Sequence, residues 1–141
     1  MPANAPIPAF DPLSIAISGT NLIEASAGTG KTYGIAALFT RLVVLEQMPV
    51  ESILTVTFTK AATAELKTRL RARLDEVLQA LESVEDTDNL SDDLETYCRD
   101  NHLGDVFLTG LLKQALAQES RARLIVRLKA AIGQFDNAAI Y

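Results

Sequence analysis

The stretch NLIEASAGTGKT, from Asn21 to Thr32, decides how the rest of the sequence is interpreted. It opens with an apolar run of strand type and continues through six small residues from Ala25 to Gly30. It ends on Lys31 and Thr32 at the head of a helical pattern. Small residues and two glycines allow the backbone to turn sharply and to present its N–H groups. This order of strand, small-residue loop, Lys-Thr and helix predicts a phosphate-binding loop.

The predicted loop has the chemistry of a site for ATP and Mg²⁺. Backbone N–H groups at a helix start form a positive concavity that suits a polyphosphate. Lys31 adds a mobile charge for the β- and γ-phosphates, and Thr32 offers its hydroxyl to Mg²⁺, so these two are the candidate catalytic residues. The candidate nucleotide-binding residues are Ala25, Ser26, Ala27, Gly28, Thr29, Gly30, Lys31 and Thr32. Ala25 stands where the pattern usually has glycine, and the alternative is a chance Gly-Thr-Gly turn followed by an exposed lysine.

The composition is that of one domain whose charge is unevenly distributed. The chain has 141 residues, 48% of them hydrophobic, and a formal net charge of −5, which argues against a generally basic nucleic-acid binder. Residues 1–80 carry seven basic and seven acidic side chains, whereas residues 81–141 carry six and eleven. Local patches of either sign are therefore expected.

The cysteine content and the hydropathy of the sequence indicate the cellular compartment. Cys98 is the single cysteine, so no intrachain disulfide can form, as is usual in a reducing cytoplasm. No apolar run reaches the length of a membrane span, and no basic residue precedes Lys31 as it would at the start of a secretory signal. A cytoplasmic protein without a membrane partner is expected.

The residues around the phosphate loop predict a βαβ unit. Residues 1–12 hold four of the five prolines and predict an extended lead-in, and residues 13–17 alternate like an edge strand. Residues 21–25 and the β-branched segment Ser52–Phe58 predict parallel strands joined by a helix at Lys31–Gln47. The helical residues expected to face the sheet are Ile35, Leu38, Leu42 and Leu45.

A second motif, TFTKAATAEL at Thr57–Leu66, follows the second predicted strand. Thr59 can cap a long helix from Lys60 to about Val84, and its expected buried stripe is Leu66, Leu70, Leu74, Val77, Leu81 and Val84. The first half of this helix carries five basic residues, which are Lys60, Lys67, Arg69, Arg71 and Arg73. Because ligands bind at the carboxyl ends of strands in such sheets, these cations suit nucleic-acid phosphates and Phe58 suits base stacking. The alternative is a buried phenylalanine beside a solvated basic face.

The remaining residues predict a helical insertion and the start of another strand. Residues 85–133 are assigned to the insertion, whose acidic surface is either solvated or a partner site. Its helices are expected at 90–101, 106–118 and 120–132. Residues 134–141 have the pattern of a turn and the beginning of the next strand. Residues 13–84 would then be the N-terminal part of a motor domain, and the chain the front end of a larger ATPase.

Two motifs at this spacing carry a resemblance to a known family. ASAGTGKT at 25–32 resembles motif I of superfamily 1 DNA helicases of the UvrD/Rep type, and TFTKAATAEL at 57–66 resembles their motif Ia. Among these helicases the sequence is most similar to the RecB family, the beta subunits of bacterial exodeoxyribonuclease V, with AddA subunits as near alternatives. The ending QFDNAAIY is similar to the segment before that family's next DNA-contact motif. The strong resemblance covers about residues 11–81 and the last few residues.

The resemblance implies a fold, an activity and partners. The fold would be α/β, a partial RecA-like P-loop NTPase motor domain (a parallel sheet with flanking helices) plus a helical insertion. The activity would be ATP-driven 3′-to-5′ unwinding of DNA, coupled to nuclease action and recombinational repair. The partners would be the RecC and RecD subunits and the single-stranded tail of a duplex DNA end.

The resemblance also assigns roles to matching residues. Residues Ala25–Thr32 would hold the triphosphate with its Mg²⁺, and single-stranded DNA would be contacted by Thr57, Phe58, Thr59 and Lys60. Many relatives have an upstream glutamine that reads adenine, and residues 15–19 contain none. The later helicase motifs are absent, so these 141 residues are not expected to unwind or cut DNA alone.

Two other hypotheses remain open. One is a different P-loop enzyme, such as a small kinase, in which the match at Thr57–Leu66 is accidental. It would need acidic and lid residues of its own. The other is a non-catalytic helical interaction module with a vestigial phosphate loop, which predicts protein binding through Leu90–Ile132 and no nucleotide binding.

Overall fold

The computed structural model describes residues 10–23, 31–85, 89–100 and 106–141. The elements in these residues are α1 at Lys31–Val44, β1 at Leu54–Thr55, α2 at Lys60–Ser83, α3 at Leu90–Asp100, α4 at Val106–Gln118, α5 at Arg121–Gly133 and β2 at Ala139–Ile140, with 3₁₀ turns at Val50–Ser52 and Phe135–Asn137. The described part is therefore α/β but mostly helical. The predicted phosphate loop at Ala25–Gly30 lies outside the described residues.

β1 and β2 form a parallel pair, and the register joins Leu54 to Ala139 and Thr55 to Ile140. The ladder continues past the strands. The Tyr141 N–H donates to the Thr55 carbonyl at 2.9 Å, and the Thr57 N–H donates to the Tyr141 carbonyl at 2.6 Å. All of α2–α5 lies between the two strands along the chain. The turn and strand predicted for residues 134–141 are confirmed.

The sequence pattern overestimates the strand content. The predicted strand Ser52–Phe58 is reduced to Leu54–Thr55, because a 3₁₀ turn takes up Val50–Ser52 and the cap of α2 follows closely. Asn21–Ile23, the described part of the strand predicted at 21–25, has no regular structure. A strand needs a neighbour for its N–H and C=O groups. Within the described ranges β1 and β2 pair only with each other.

A turn replaces the edge strand predicted at 13–17. The Asp11 carboxylate accepts a hydrogen bond from the Leu13 N–H at 3.0 Å, and the Ile15 N–H donates to the Asp11 carbonyl at 3.0 Å. Arg41 of α1 donates from Nη1 to the Ile15 carbonyl at 2.6 Å. These bonds hold the backbone in a turn and leave it no ladder to join.

Part of the predicted lead-in packs on the helices, while residues 1–9 lie outside the described residues. A Cβ added to Gly34 of α1 would lie 3.1 Å from the Phe10 ring, and one added to Gly110 of α4 would lie 2.6 Å from Leu13 Cδ1. The two glycines therefore let the segment cross α1 and α4 at close range.

Helix α1 ends at Val44, three residues before the predicted Gln47. Gln47 has a φ of 56°, in the left-handed region. The Met48 N–H donates to the Leu42 carbonyl at 3.0 Å. A left-handed residue with a returning N–H is typical of a helix C-terminus, and the chain turns here toward β1.

The predicted buried face of α1 is wrong. Ile35 is 41% exposed, Leu38 and Leu42 are half-buried, and Leu45 alone of the four is buried. The buried residues of the helix are Ala36, Ala37, Phe39, Thr40, Val43 and Val44. They face α2, α4 and α5, against which α1 packs. Helix–helix packing thus takes the place of the expected helix–sheet packing, and two alanines allow the close approach.

Helix α2 follows the prediction closely. It begins after Thr59 and ends at Ser83, one residue before the expected end. All six predicted stripe residues, Leu66, Leu70, Leu74, Val77, Leu81 and Val84, are buried. A stripe with steps of three and four residues keeps one side of a helix apolar, so α2 forms the centre against which α1, α3 and α5 pack.

The three later helices share one hydrophobic core with α1 and α2. Helix α5 starts after Ser120, whose Oγ accepts from the Arg123 N–H. Arg121 Nε donates to the Leu81 carbonyl of α2 at 2.7 Å, and the Phe39 and Phe135 rings meet edge to face with centroids 6.2 Å apart. The division between a motor part and an insertion at residues 85–133 remains a prediction. Every helix in the described ranges is too short or too polar to cross a bilayer.

Candidate nucleotide and DNA site

Lys31 and Thr32 are the first two residues of α1, as the phosphate-loop pattern predicts. The Lys31 side chain is exposed and forms no ion pair within the described residues, and Thr32 is half-buried. The first turn of α1, which is described in full, contains no acidic residue. A free ammonium and the positive end of a helix meet there, so the described half of the predicted site fits a polyphosphate.

Arg73 ties the start of α1 to α2 and α4. Its guanidinium carbon lies 5.0 Å from the centroid of the Tyr33 ring and 5.8 Å from that of the Phe107 ring, within the range of cation–π contacts. Arg73 Nη1 also donates to Glu76 Oε2 at 3.1 Å, and the arginine side chain is only 14% exposed. Tyr33 follows Thr32 directly, so this contact fixes the first turn of α1 against α2.

Sequence reasoning missed this role because it grouped Arg73 with the basic residues suited to phosphates. The spacing of residues along the helix could have indicated this role. Arg73 follows Leu70 by three residues and precedes Val77 by four, and both neighbours belong to the buried stripe. A residue at those offsets lies beside the packed face of its helix. The structure therefore removes Arg73 from the surface cations.

The hydroxyls of Thr57 and Thr59 are engaged within the protein. Thr59 Oγ1 accepts from the Ala62 N–H at 3.0 Å and caps α2, as predicted. Thr57 Oγ1 contacts the Thr63 hydroxyl and lies 3.2 Å from the carbonyls of Thr59 and Tyr141. These contacts set the course of the backbone between β1 and α2.

Phe58 is fully exposed between these two threonines. This excludes the alternative of a buried phenylalanine within the described fold. Leu54 of β1 and Val56 beyond its end are exposed as well. Lys60, two residues later at the start of α2, is exposed too.

The two predicted sites are separate but connected through α2. The contact between Tyr33 and Arg73 lies thirteen residues along α2 from Lys60, and a helix rises 1.5 Å per residue, so the separation is on the order of 20 Å. The contact that anchors the start of α1 and the first residue of α2, Lys60, thus lie at two separate points along α2.

Comparison with known proteins assigns the chain to a family. Residues 11–124 match the UvrD/REP helicase N-terminal domain, and the chain belongs to that family. Among similar proteins is the RecBCD enzyme subunit RecB of Haemophilus influenzae, which is 37% identical over an alignment of 139 positions that covers 94% of this chain and 10% of that protein.

Two further relatives carry the same name. The RecBCD enzyme subunit RecB of Escherichia coli K12 is 49% identical over 76 residues, covering 48% of this chain and 6% of that protein. The one from Mycolicibacterium smegmatis is 36% identical over 121 residues, covering 86% and 9%. The chain thus spans a tenth or less of the length of these relatives, and the resemblance to RecB expected from the two motifs is confirmed.

Proposed function

We propose that the chain is the ATP- and DNA-binding opening part of a RecB-type DNA helicase subunit, with a partial RecA-like motor domain and a helical insertion at residues 85–133. The observation that carries the proposal is the start of α1, where Lys31 presents an exposed ammonium that forms no ion pair with the residues the structure describes, and where the first turn has no acid. The family match supports this over a small kinase, because it includes both motifs in one stretch.

The residues proposed to hold ATP have three different roles. The backbone of Ala25–Gly30 would wrap the phosphates, Lys31 would neutralise the β- and γ-phosphates, and the Thr32 hydroxyl would face Mg²⁺. ATP supplies the free energy of phosphoryl transfer when bound. Tyr33 and Arg73 would keep this turn of α1 in register with α2.

The residues proposed to contact single-stranded DNA lie at the junction of β1 and α2. Phe58 would stack on a base, since base–aromatic stacking contributes about 1–3 kcal/mol per base. Lys60 would pair with a phosphate beside it. Thr57 and Thr59 would act through the backbone that their hydroxyls hold in place, because those hydroxyls already have partners.

The whole-protein role is proposed from the names of the relatives. RecBCD enzyme subunit RecB names an assembly, so RecC and RecD are the proposed partners and the single-stranded tail of a duplex end is the proposed substrate. The process would be double-strand-break repair by homologous recombination, with exonuclease action, in the cytoplasm. Unwinding and cutting would require parts of a longer protein, since the chain covers a tenth or less of those relatives.

The nucleotide site is tested by binding a fluorescent ATP analogue with Mg²⁺ to this chain. Wild type is expected to bind and Lys31→Ala is expected to lose binding. Lys113→Ala is the matched control, because Lys113 is an exposed lysine on α4 paired with Glu95 at 3.0 Å. In the longer protein, Lys31→Ala is expected to abolish ATP hydrolysis. Unchanged hydrolysis in that variant would refute the phosphate-loop assignment.

The result of this binding experiment distinguishes a nucleotide site that is preformed in this chain from one that needs further parts of the motor. Binding that only Lys31→Ala loses would mean that the loop is preformed in these 141 residues. Absence of binding by a folded wild type would mean that other parts of the motor complete the site. It would also favour the helical interaction module.

A further inference from the structure

Three of the cations on α2 form a row along one flank of the helix. Lys60, Lys67 and Arg71 are separated by seven and four residues, which places them within about 40° of one another around an α-helix. All three side chains are exposed. None of them forms an ion pair within the described residues. We call these three residues the α2 basic row.

The other two basic residues of this helix are excluded from the row. Arg69 lies nine residues from Lys60, about 180° around the helix, and is paired with Glu65 at 3.2 Å. Arg73 is held between two aromatic rings. Among the residues that the structure describes, the basic side chains of α2 without an ion-pair or aromatic partner therefore lie on one flank.

The α2 basic row also has a defined end. Asp75 follows Arg71 by four residues on the same side of the helix. Glu82 lies farther along that side and pairs with Lys129 of α5 at 3.3 Å. The flank is thus positive over its first three turns, and the side chains that follow Arg71 on it are acidic, with Glu82 neutralised by Lys129. A polyanion lying along it would be attracted from Lys60 as far as Arg71.

The row begins where the exposed aromatic ring is. Lys60 is two residues from Phe58, and the first turn of α2 contains no acid. From there the row extends eleven residues, or about 16 Å at 1.5 Å per residue. A stacked strand has a phosphate every ~3.4 Å, so this length matches about five nucleotides.

We propose that the α2 basic row binds the phosphates of a single-stranded nucleic acid whose base stacks on Phe58, extending the DNA site along the flank of α2 as far as Arg71. The proposal rests on the proposed function, because Phe58 fixes one end of the path. Lys67 and Arg71 supply the part that the two motifs do not include.

The test measures binding of a labelled single-stranded oligonucleotide of about twelve nucleotides to this chain as salt is varied. The informative variant is Lys67→Gln with Arg71→Gln. The matched control is Arg69→Gln with Lys113→Gln, which removes the same total charge from exposed positions outside the row. Thermal unfolding checks that both double variants remain folded.

The expected result follows from counterion release. Two lost phosphate contacts reduce the slope of log affinity against log salt by about 1.4, which corresponds to roughly 60-fold weaker binding at about 50 mM salt. The control double variant is expected to keep the wild-type slope. Equal losses in the two double variants would overturn the proposal, because net charge alone would explain them. Failure of the folded wild type to bind at low salt would overturn it as well.

Phe58→Ala separates this proposal from the proposed function. Loss of stacking is expected to weaken binding roughly 5- to 150-fold without changing the salt slope, since no phosphate contact is removed. Unchanged binding by Phe58→Ala, with a reduced slope for the row variant, would refute stacking at Phe58 and leave the row as a phosphate site. Weaker binding by Phe58→Ala, with an unchanged salt slope for the row variant, would refute the α2 basic row and leave stacking at Phe58 in place.

Discussion

Arg127 of α5 closes the C-terminal end of α1, and its replacement is expected to destabilise the fold strongly. Arg127 Nη1 donates to the Val43 carbonyl at 2.6 Å and Nη2 to the Val44 carbonyl at 2.7 Å. Arg127 Nε donates to Glu119 Oε1 at 3.0 Å. The two carbonyls belong to the last turn of α1, where helix carbonyls lack intrahelical partners. A cation at this end also interacts favourably with the negative end of the helix dipole.

The magnitude follows from these contacts and their burial. Arg127→Met keeps most of the apolar stem but removes the hydrogen bonds, each worth about 1.5–3 kcal/mol when one group is charged. The Arg127 side chain is 26% exposed, so water replaces part of that loss, whereas the Glu119 side chain is 9% exposed and keeps an unpaired charge. We expect a loss of about 3 kcal/mol in the free energy of unfolding, or a fall of roughly 10 °C in Tm.

The assay is urea unfolding followed by circular dichroism, with four variants. Arg123→Met is the matched control, because Arg123 is an exposed arginine one turn earlier in α5, and its effect should stay within about 0.5 kcal/mol. Glu119→Gln combined with Arg127→Met should recover part of the loss, and Glu119→Gln alone completes the cycle. A loss below about 1 kcal/mol for Arg127→Met, at an unchanged denaturant slope, would refute the view that this arginine joins α5 to α1.

Other predictions concern the cap, the core and the two exposed site residues. Thr59→Ala should lower the free energy of unfolding by about 1 kcal/mol in urea unfolding, and Thr59→Ser should retain most of it, because a hydroxyl still caps α2. Leu74→Ala should cost about 2–5 kcal/mol by the same assay, since Leu74 is completely buried. Lys31→Ala should leave Tm within about 2 °C in thermal unfolding, because the side chain is exposed. Phe58→Ser should leave Tm within about 2 °C in thermal unfolding, because the phenylalanine ring is fully exposed.

Helix α2 could be predicted nearly to the residue because its local signals agree. A threonine cap, a stripe with steps of three and four residues and an absence of proline all favour the same helix. The face of α1 could not be predicted in the same way. Ile35 and Ala36 are both apolar, and the choice between them depends on whether a sheet or another helix packs there. That choice is made by tertiary contacts with α2, α4 and α5.

The strands could be predicted far less well than α2. Ser52–Phe58 has the β-branched composition of a buried strand, but strand length depends on a neighbouring chain segment. Only β2 is present beside β1 in the described ranges, and Leu54, Val56 and Phe58 stay exposed. The sequence motif placed Lys31 correctly at the start of α1, but it placed Phe58 at the end of a strand that stops at Thr55. It could not show that the hydroxyls of Thr57 and Thr59 would be engaged within the protein.

The net charge of −5 does not oppose binding of a polyanion at α2, because charges act locally in salt. At physiological ionic strength the screening length is about 8 Å, shorter than the ~16 Å from Lys60 to Arg71 along the helix. A phosphate beside Lys60 therefore responds mainly to Lys60 and the helix start, more weakly to Lys67 at about 10 Å along the helix, and hardly to Glu82 at about 33 Å. The acids that make the chain negative are concentrated in residues 81–141. Because the acidic residues are concentrated in another part of the chain, an acidic domain can carry a basic flank. Lowering the salt concentration should therefore strengthen DNA binding less than it would for a uniformly basic protein.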